Sequence, residues 1–262
     1  MKAKKSLGQN FLINDTIIEN IVSLFYVTEN DLIIEIGPGR GALTEKLSKL
    51  PSRLLCIEVD KDLKPVLSKF ESENCKIIYE DILKVDLKTI VQNYQYDNLY
   101  IVGNLPYYIT SPILEHLIKS GLNINQMVFM VQKEVADRFS AKSCSSNYGY
   151  MTLFLNYYYN VTSEIFVPKK DFNPIPKVDS MVIKLEPRYH EFYINEQKYF
   201  SFLKNAFRLK RKTLKNNLSS QYNWQTIKEV LEANKLNENV RAEQITQELF
   251  IEIYLKLFEN QN

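Results

Sequence analysis

Two rhythms of apolar and polar residues alternate along this chain. Leu32-Ile33-Ile34-Glu35-Ile36 reads as a short buried strand, stopped by Gly37-Pro38-Gly39. Comparable runs follow at Arg53–Val59, Lys76–Tyr79, Leu99-Tyr100-Ile101-Val102 and Met127-Val128-Phe129-Met130-Val131. Stretches of helical spacing separate them. Ile17, Ile18, Ile21, Val22 and Phe25 repeat on one helix face behind a cap from Asn14 or Asp15. Helices are also predicted from about Gly41 to Lys49 and through Lys61–Phe70. Such alternation predicts an α/β fold with a doubly wound, mostly parallel sheet and helices on both faces.

A last strand-like run spans Lys177 to Glu186, and Arg188 to Asn195 reads as a linker. Beyond it only helical spacing remains, at Glu196–Arg208, Arg211–Leu218, Trp224–Asn234 and Ile245–Phe258. We therefore expect one domain over residues 1–187 and a small all-α C-terminal domain over 188–262. Ligands of doubly wound sheets bind beyond the carboxyl ends of the strands. Glu35, Glu58, Asp81 and Asn104 occupy those ends.

Composition changes this picture little. The 262 residues are 45% hydrophobic and 24% charged, enough for one substantial core and a smaller appended unit. A net charge of +2 neither favours nor excludes nucleic acid. Local segregation says more: Arg208, Lys210, Arg211, Lys212 and Lys215 fall within eight residues that contain no acid, and Lys2, Lys4 and Lys5 form a second cluster. Such a run is either a solvated helix face or a phosphate-binding stripe. Cys56, Cys75, Cys144, His116 and His190 match no metal or redox spacing, so no metal site is expected. The basic N-terminus has no apolar segment behind it, and no apolar run reaches the roughly 18 residues that span a bilayer. A soluble, cytoplasmic protein without a membrane partner is expected.

The segment Glu35-Ile36-Gly37-Pro38-Gly39-Arg40-Gly41 is a glycine-rich strand-to-helix turn, where backbone can approach a ligand closely. Dinucleotide enzymes use a similar turn with an acid about 20 residues later, and Glu58 fits that acid. At this point a nicotinamide dehydrogenase remains open. The GxGxG spacing tilts towards S-adenosylmethionine, whose adenosine carries no pyrophosphate. Asp81 can then accept from the adenine amine of that cofactor.

Asn104-Leu105-Pro106-Tyr107 follows the fourth strand. An adenine amine is a poor nucleophile because its lone pair is delocalised into the ring. Two acceptors, the Asn104 side-chain oxygen and the Leu105 carbonyl, can hold its two hydrogens and aim the nitrogen. Pro106 forces Leu105 into an extended conformation, which fixes its carbonyl, and Tyr107 offers a face to an extruded base. These residues have no role in hydride transfer.

With these motifs in hand, the chain resembles the KsgA-type ribosomal RNA adenine dimethyltransferases over nearly its whole length. The likeness lies in Gln9-Asn10-Phe11-Leu12, Glu35 to Thr44, Glu58, Asp81, Asn104 to Tyr107, Gln132 to Arg138, Phe172 to Ser180, Arg211 to Leu218 and Arg241-Ala242-Glu243. It implies a Rossmann-like class I methyltransferase domain that uses S-adenosylmethionine. It implies that Asn10 and Leu12 close over the cofactor, that Gly37 and Gly39 line it, and that Glu58 holds the ribose and Asp81 the adenine. Asn104 would hold the target amine, and Phe172 would sandwich the target base against Tyr107. The implied partner is small-subunit 16S rRNA, in an assembling subunit, and the implied product is dimethyladenosine at two adjacent adenines in a hairpin near its 3′ end. The likeness turns Arg208, Lys210, Arg211, Lys212 and Lys215 into expected RNA contacts. Lys210 stands where the family usually has arginine, and a lysine cannot form a bidentate fork on phosphate. A monomer is expected. The related Erm enzymes of large-subunit rRNA fit less well, given Pro38, Leu105, the Gln132–Arg138 string and Asn216-Asn217-Leu218. Tyr157-Tyr158-Tyr159 is expected to pack in a core, and Glu134 with Arg138 to share a helix.

Overall fold

The computed structural model describes residues 3–4, 7–190 and 194–258. They fall into two compact units, Met1–Ala136 with Asn160–Pro187, and Asp137–Tyr159 with Arg188–Asn262. The expected boundary at residue 187 is one crossing between them. Asp137–Tyr159, placed by sequence in the first domain, groups with the C-terminal helices instead.

In the first unit a two-residue strand, β1 (Phe11–Leu12), leads into α1 (Asp15–Val22). The Asn14 side chain caps that helix by accepting from the Ile17 N–H. Then come β2 (Leu32–Ile36), α2 (Ala42–Leu47), β3 (Arg53–Ile57), α3 (Lys64–Leu67), β4 (Cys75–Ile78), α4 (Leu87–Val91) and β5 (Leu99–Asn104). After them lie α5 (Thr110–Lys119), β6 (Gln126–Gln132) and the start of α6 (Lys133–Phe139), which carries both Glu134 and Arg138 and whose last residues belong to the second unit. The helix expected over Lys61–Phe70 is divided into a 3₁₀ turn, α3 and a second 3₁₀ turn, with Pro65 in the first turn of α3, where a missing N–H is tolerated.

The seven-stranded sheet has the order β4-β3-β2-β5-β6-β9-β7, where β7 is Tyr159–Val167 and β9 is Ser180–Pro187. The pairs β4/β3, β3/β2, β2/β5 and β5/β6 are parallel and β6/β9 antiparallel. This is the mostly parallel, doubly wound sheet expected. Central β2 is buried at every position, as near-continuous apolar strands covered on both faces must be. Strand β7 escaped the sequence reading because it lies at the sheet edge, where most of its positions meet solvent and its apolar pattern is diluted. A small second sheet pairs β1 antiparallel with β8 (Phe172–Asn173).

The second unit packs α7 (Tyr150–Tyr158), α8 (Glu196–Ala206), α9 (Leu214–Leu218), α10 (Trp224–Ala233) and α11 (Gln247–Phe258) on a core built around Tyr199, Phe202 and Phe250. Tyr157 belongs to that core, with its ring 5.7 Å from Tyr199 and 5.3 Å from Phe200. The tyrosine run packs, as expected.

Candidate active site at the carboxyl ends of the strands

Strand order reverses between β2 and β5, and the crevice of a doubly wound sheet opens at such a point. Ile36 pairs with Gly103 there, so the glycine turn after β2 and the NLPY turn after β5 leave the sheet side by side. A cleft of about 830 Å³, counting its open mouth, lies over them. That is the size of a small-molecule site. Its wall includes Gly37, Gly39, Glu58 and Asn104 to Tyr107, and on the other side Leu7 to Leu12.

Glu58 stands just past β3 with 4% of its surface exposed. One carboxylate oxygen accepts from the Gly39 N–H at 3.0 Å and the other from the Asp60 N–H at 2.8 Å. Burial pushes its pKa above the ordinary value, against the pull of those backbone donors. Gly39 adopts φ +58°, and a Cβ there would crowd the Phe11 ring at 3.1 Å. Gly37, at φ +69°, would meet nothing nearer than the Asn104 carbonyl oxygen at 3.9 Å, so room for a ligand opens above it.

The segment over the cleft is tied down at three places. Asp60, itself buried, accepts from Lys4 Nζ at 2.5 Å and from Gln9 Nε2 at 2.8 Å. Lys4 also reaches Asp62 at 2.6 Å. Burial acts to raise the Asp60 pKa, but the Lys4 and Gln9 contacts outweigh it and the net shift is downward. At its far end the Asn10 carbonyl accepts from Asn104 Nδ2 at 2.8 Å, and Leu12 pairs with Phe172. Lys2 and Lys5 of the N-terminal basic cluster lie outside the described residues.

Asn104 is half-buried, and the Asn10 carbonyl dictates its orientation, because a carbonyl can only accept. Its Oδ1 is left as an acceptor, and the residue lines the cleft. Leu105 is anchored through its N–H to the Met130 carbonyl at 3.1 Å, while its own carbonyl accepts nothing from the described residues. The Tyr107 hydroxyl meets buried Ser180 Oγ at 3.1 Å, which fixes the ring, and burial raises its pKa.

Two expected site residues lie elsewhere. Phe172 is 1% exposed, packed in the core of the first unit, and forms no wall of the cleft. Its pairing with Leu12 turns its side chain inward, and the next residues, Asn173 to Lys177, line a groove that also contains Tyr107. Asp81 does not line the cleft either. Strand β4 ends at Ile78, and Tyr79 and Glu80 carry Asp81 into a turn, where it accepts from the Leu83 N–H at 3.0 Å.

Two further residues matter here. Glu35, one of the strand-end candidates in the sequence, is 1% exposed and lines the cleft. Burial pushes its pKa up to about 7, opposed by hydrogen bonds from the Thr44 hydroxyl and Cys56 thiol. Gly103 is the second. A Cβ on it would stand 2.5 Å from the Ile36 carbonyl oxygen, so only glycine lets β5 run this close to β2. Its signal was a glycine inside an apolar strand run.

Of the basic run of the second unit only Lys215 lies on a helix. Helix α9 begins only at Leu214, behind the Thr213 cap, and Arg208 to Lys212 form an exposed turn before it. Buried Asn217 holds that turn, with Oδ1 accepting from the Leu209 N–H and Nδ2 donating to the Leu209 carbonyl. Lys210 donates to the Ser146 carbonyl, and Lys215 pairs with Glu238 at 3.0 Å.

Comparison with known proteins bears directly on this cleft. Residues 1–259 match the family model described as ribosomal RNA adenine dimethylase. The chain belongs to that family. The protein named ribosomal RNA small subunit methyltransferase A in Fusobacterium nucleatum is 42% identical, over 98% of this chain and 98% of that one. Its counterpart of the same name in Leuconostoc mesenteroides is 39% identical over 98% and 90%. The crystal structure of a dimethyladenosine transferase from Plasmodium falciparum superposes with a TM-score of 0.79 at 28% identity, over 95% of this chain and 98% of that one. As a ribosomal RNA adenine dimethylase the chain is an S-adenosylmethionine-dependent methyltransferase. The cleft suits that cofactor: a buried carboxylate with acceptor capacity beyond its two backbone donors, beside a glycine turn with open space above it. No helix among the described residues is long and apolar enough to cross a membrane.

Proposed function

We propose that this enzyme dimethylates the exocyclic amines of two adjacent adenines in a hairpin near the 3′ end of 16S rRNA, on an assembling small subunit, as a cytoplasmic monomer. The observation that carries the chemistry is the hydrogen bond from Asn104 Nδ2 to the Asn10 carbonyl, which leaves Oδ1 as an acceptor; the Leu105 carbonyl, one residue on, supplies the second. These two oxygens take the two hydrogens of the adenine amine and draw its lone pair out of the ring. Rate then comes from positioning and from acceptors matched to the charge that develops on nitrogen. The methylated amine is acidic once its lone pair is used and loses its proton to water, so no side chain need act as base.

When bound, S-adenosylmethionine supplies a methyl group on a sulfonium. Glu58 accepts from its ribose hydroxyls and Gly37 and Gly39 line its path, while Asn10 and Leu12 cover it. Asp81 reaches its adenine only if the turn at Asp81–Leu83 bends towards the cleft. Tyr107, held by Ser180, presents one face to the target base. Phe172 backs the loop opposite from within the core rather than touching that base as the structure stands. Arg208, Lys210, Arg211 and Lys212 engage phosphates as a preformed turn, with Lys215 secondary because Glu238 already holds it.

The test is methyl transfer from labelled S-adenosylmethionine to undermethylated small subunits, mature small subunits and large-subunit rRNA, with nucleoside mass spectrometry of the product. Dimethyladenosine on undermethylated small subunits alone supports the proposal. Label on large-subunit rRNA overturns the substrate assignment.

A further inference from the structure

We propose that Ile175 is a wedge that enters the base stack of the RNA and keeps the target adenine extruded. This inference rests on the function proposed above. Ile175 is 66% exposed, an unusual setting for a large aliphatic residue on a loop held as firmly as this one. Prolines 174 and 176 flank it and remove backbone freedom on both sides. Behind it Phe172 and Pro176 are buried. Ahead of it the Asp179 carboxylate accepts from the Lys169 N–H at 2.9 Å, and the Asp179 carbonyl from the Lys133 N–H at 3.0 Å. The loop therefore holds Ile175, the more exposed of its two exposed large aliphatic side chains (Val178 is 43% exposed), on a rigid support.

Its position gives that side chain a task. Ile175 lines the same groove as Tyr107, Gln132, Arg40 and Lys177, and the groove leads to the NLPY turn. Arg40 and Lys177 give its walls positive charge, which suits a phosphate backbone. An adenine whose amine reaches Asn104 must leave its stack, and unstacking costs free energy. An inserted aliphatic side chain offsets that by covering the exposed faces of the neighbouring bases, as apolar wedges do in bent duplexes. Ile175 touches no reacting atom in this account. It is a positioning residue.

The experiment compares wild type, Ile175→Ala and the size-conserving Ile175→Met on reconstituted small subunits. The first readout places 2-aminopurine at the target adenine, so that fluorescence reports unstacking without requiring methyl transfer. The second measures methyl transfer to the normal substrate and to one in which the base next to the target is abasic, so that the target is already loosened. We expect Ile175→Ala to keep cofactor affinity, to lose most of the fluorescence rise on binding, and to lose about ten-fold in kcat/KM on the normal substrate. Ile175→Met should restore both, and the abasic substrate should erase most of the defect. Equal defects on both substrates, or an unchanged fluorescence rise in Ile175→Ala, would overturn the wedge. Failure of wild type to methylate small subunits would instead remove the function on which the wedge rests.

Discussion

Gly103 and Ile36 approach so closely across the two central strands that a Cβ on Gly103 would lie 2.5 Å from the Ile36 carbonyl oxygen. Neither backbone can retreat, because Ile36 and Gly103 are paired partners in a parallel ladder. The two turns that build the cleft follow directly on these strands. Gly103→Ala should therefore destabilise the protein by about 3 kcal/mol, the upper range for an overpacked core, and weaken cofactor binding with it. Urea unfolding checks the first and calorimetric titration the second. Wild-type stability would show that the strands can part at no cost.

Asp60 holds Lys4 and Gln9 by its side chain and Glu58 by its backbone N–H. It joins the covering segment to the ribose-side carboxylate. Asp60→Ala should weaken S-adenosylmethionine binding about ten-fold, the scale of one lost charged hydrogen bond, and leave the secondary structure intact. An unchanged dissociation constant would mean that the segment closes without this tie.

Glu35 gives the fold a pH dependence of predictable sign. Its folded pKa, about 7, lies above the ordinary 4.5, so the folded protein keeps a proton that the unfolded chain has released. Below 4.5 both states are protonated and Glu35 contributes nothing. Stability falls as pH rises from there to about 7, and above 7 the full penalty, roughly 3 kcal/mol, is present. Glu35→Gln can still accept from Thr44 and should stabilise the cofactor-free protein by about that amount at pH 8 and hardly at all near pH 4.5. Urea denaturation at the two pH values decides it; equal effects at both would place the titration elsewhere.

Charge on the turn before α9 should govern RNA affinity. Arg211→Glu with Lys212→Glu should weaken small-subunit binding and flatten its dependence on salt, since each lost phosphate contact lowers the slope by about one. Lys215→Ala should do less, because Glu238 already engages that lysine. Binding isotherms at several salt concentrations separate the two, and an unchanged slope in the double variant would make the run a solvated surface.

Much of this architecture was legible in the chain. The central strands announce themselves as unbroken apolar runs, and the glycine turn and NLPY residues sit where a doubly wound sheet binds ligands, so order along the chain became proximity in space. Phe172 shows the limit. Its motif is plain in sequence, but only pairing with Leu12 decides that its ring turns into the core. Asp81 depends on where β4 stops, and strand ends are poorly marked by local pattern. The basic run read as helix because spacing cannot reveal that Thr213 caps α9 and that Asn217 folds the preceding residues into a turn. Edge strand β7 and the grouping of α7 with the C-terminal helices are tertiary outcomes of the same kind.

In the proposed reaction Asn104 Oδ1 and the Leu105 carbonyl hold the adenine amine. Single-turnover methyl transfer by Asn104→Ala, measured beside its S-adenosylmethionine affinity, tests it most directly. Transfer should fall by at least about a hundred-fold, as for removal of one preorganised polar partner in an active site, with cofactor binding within a few-fold of wild type. Transfer at the wild-type rate by a cofactor-loaded Asn104→Ala enzyme would contradict it.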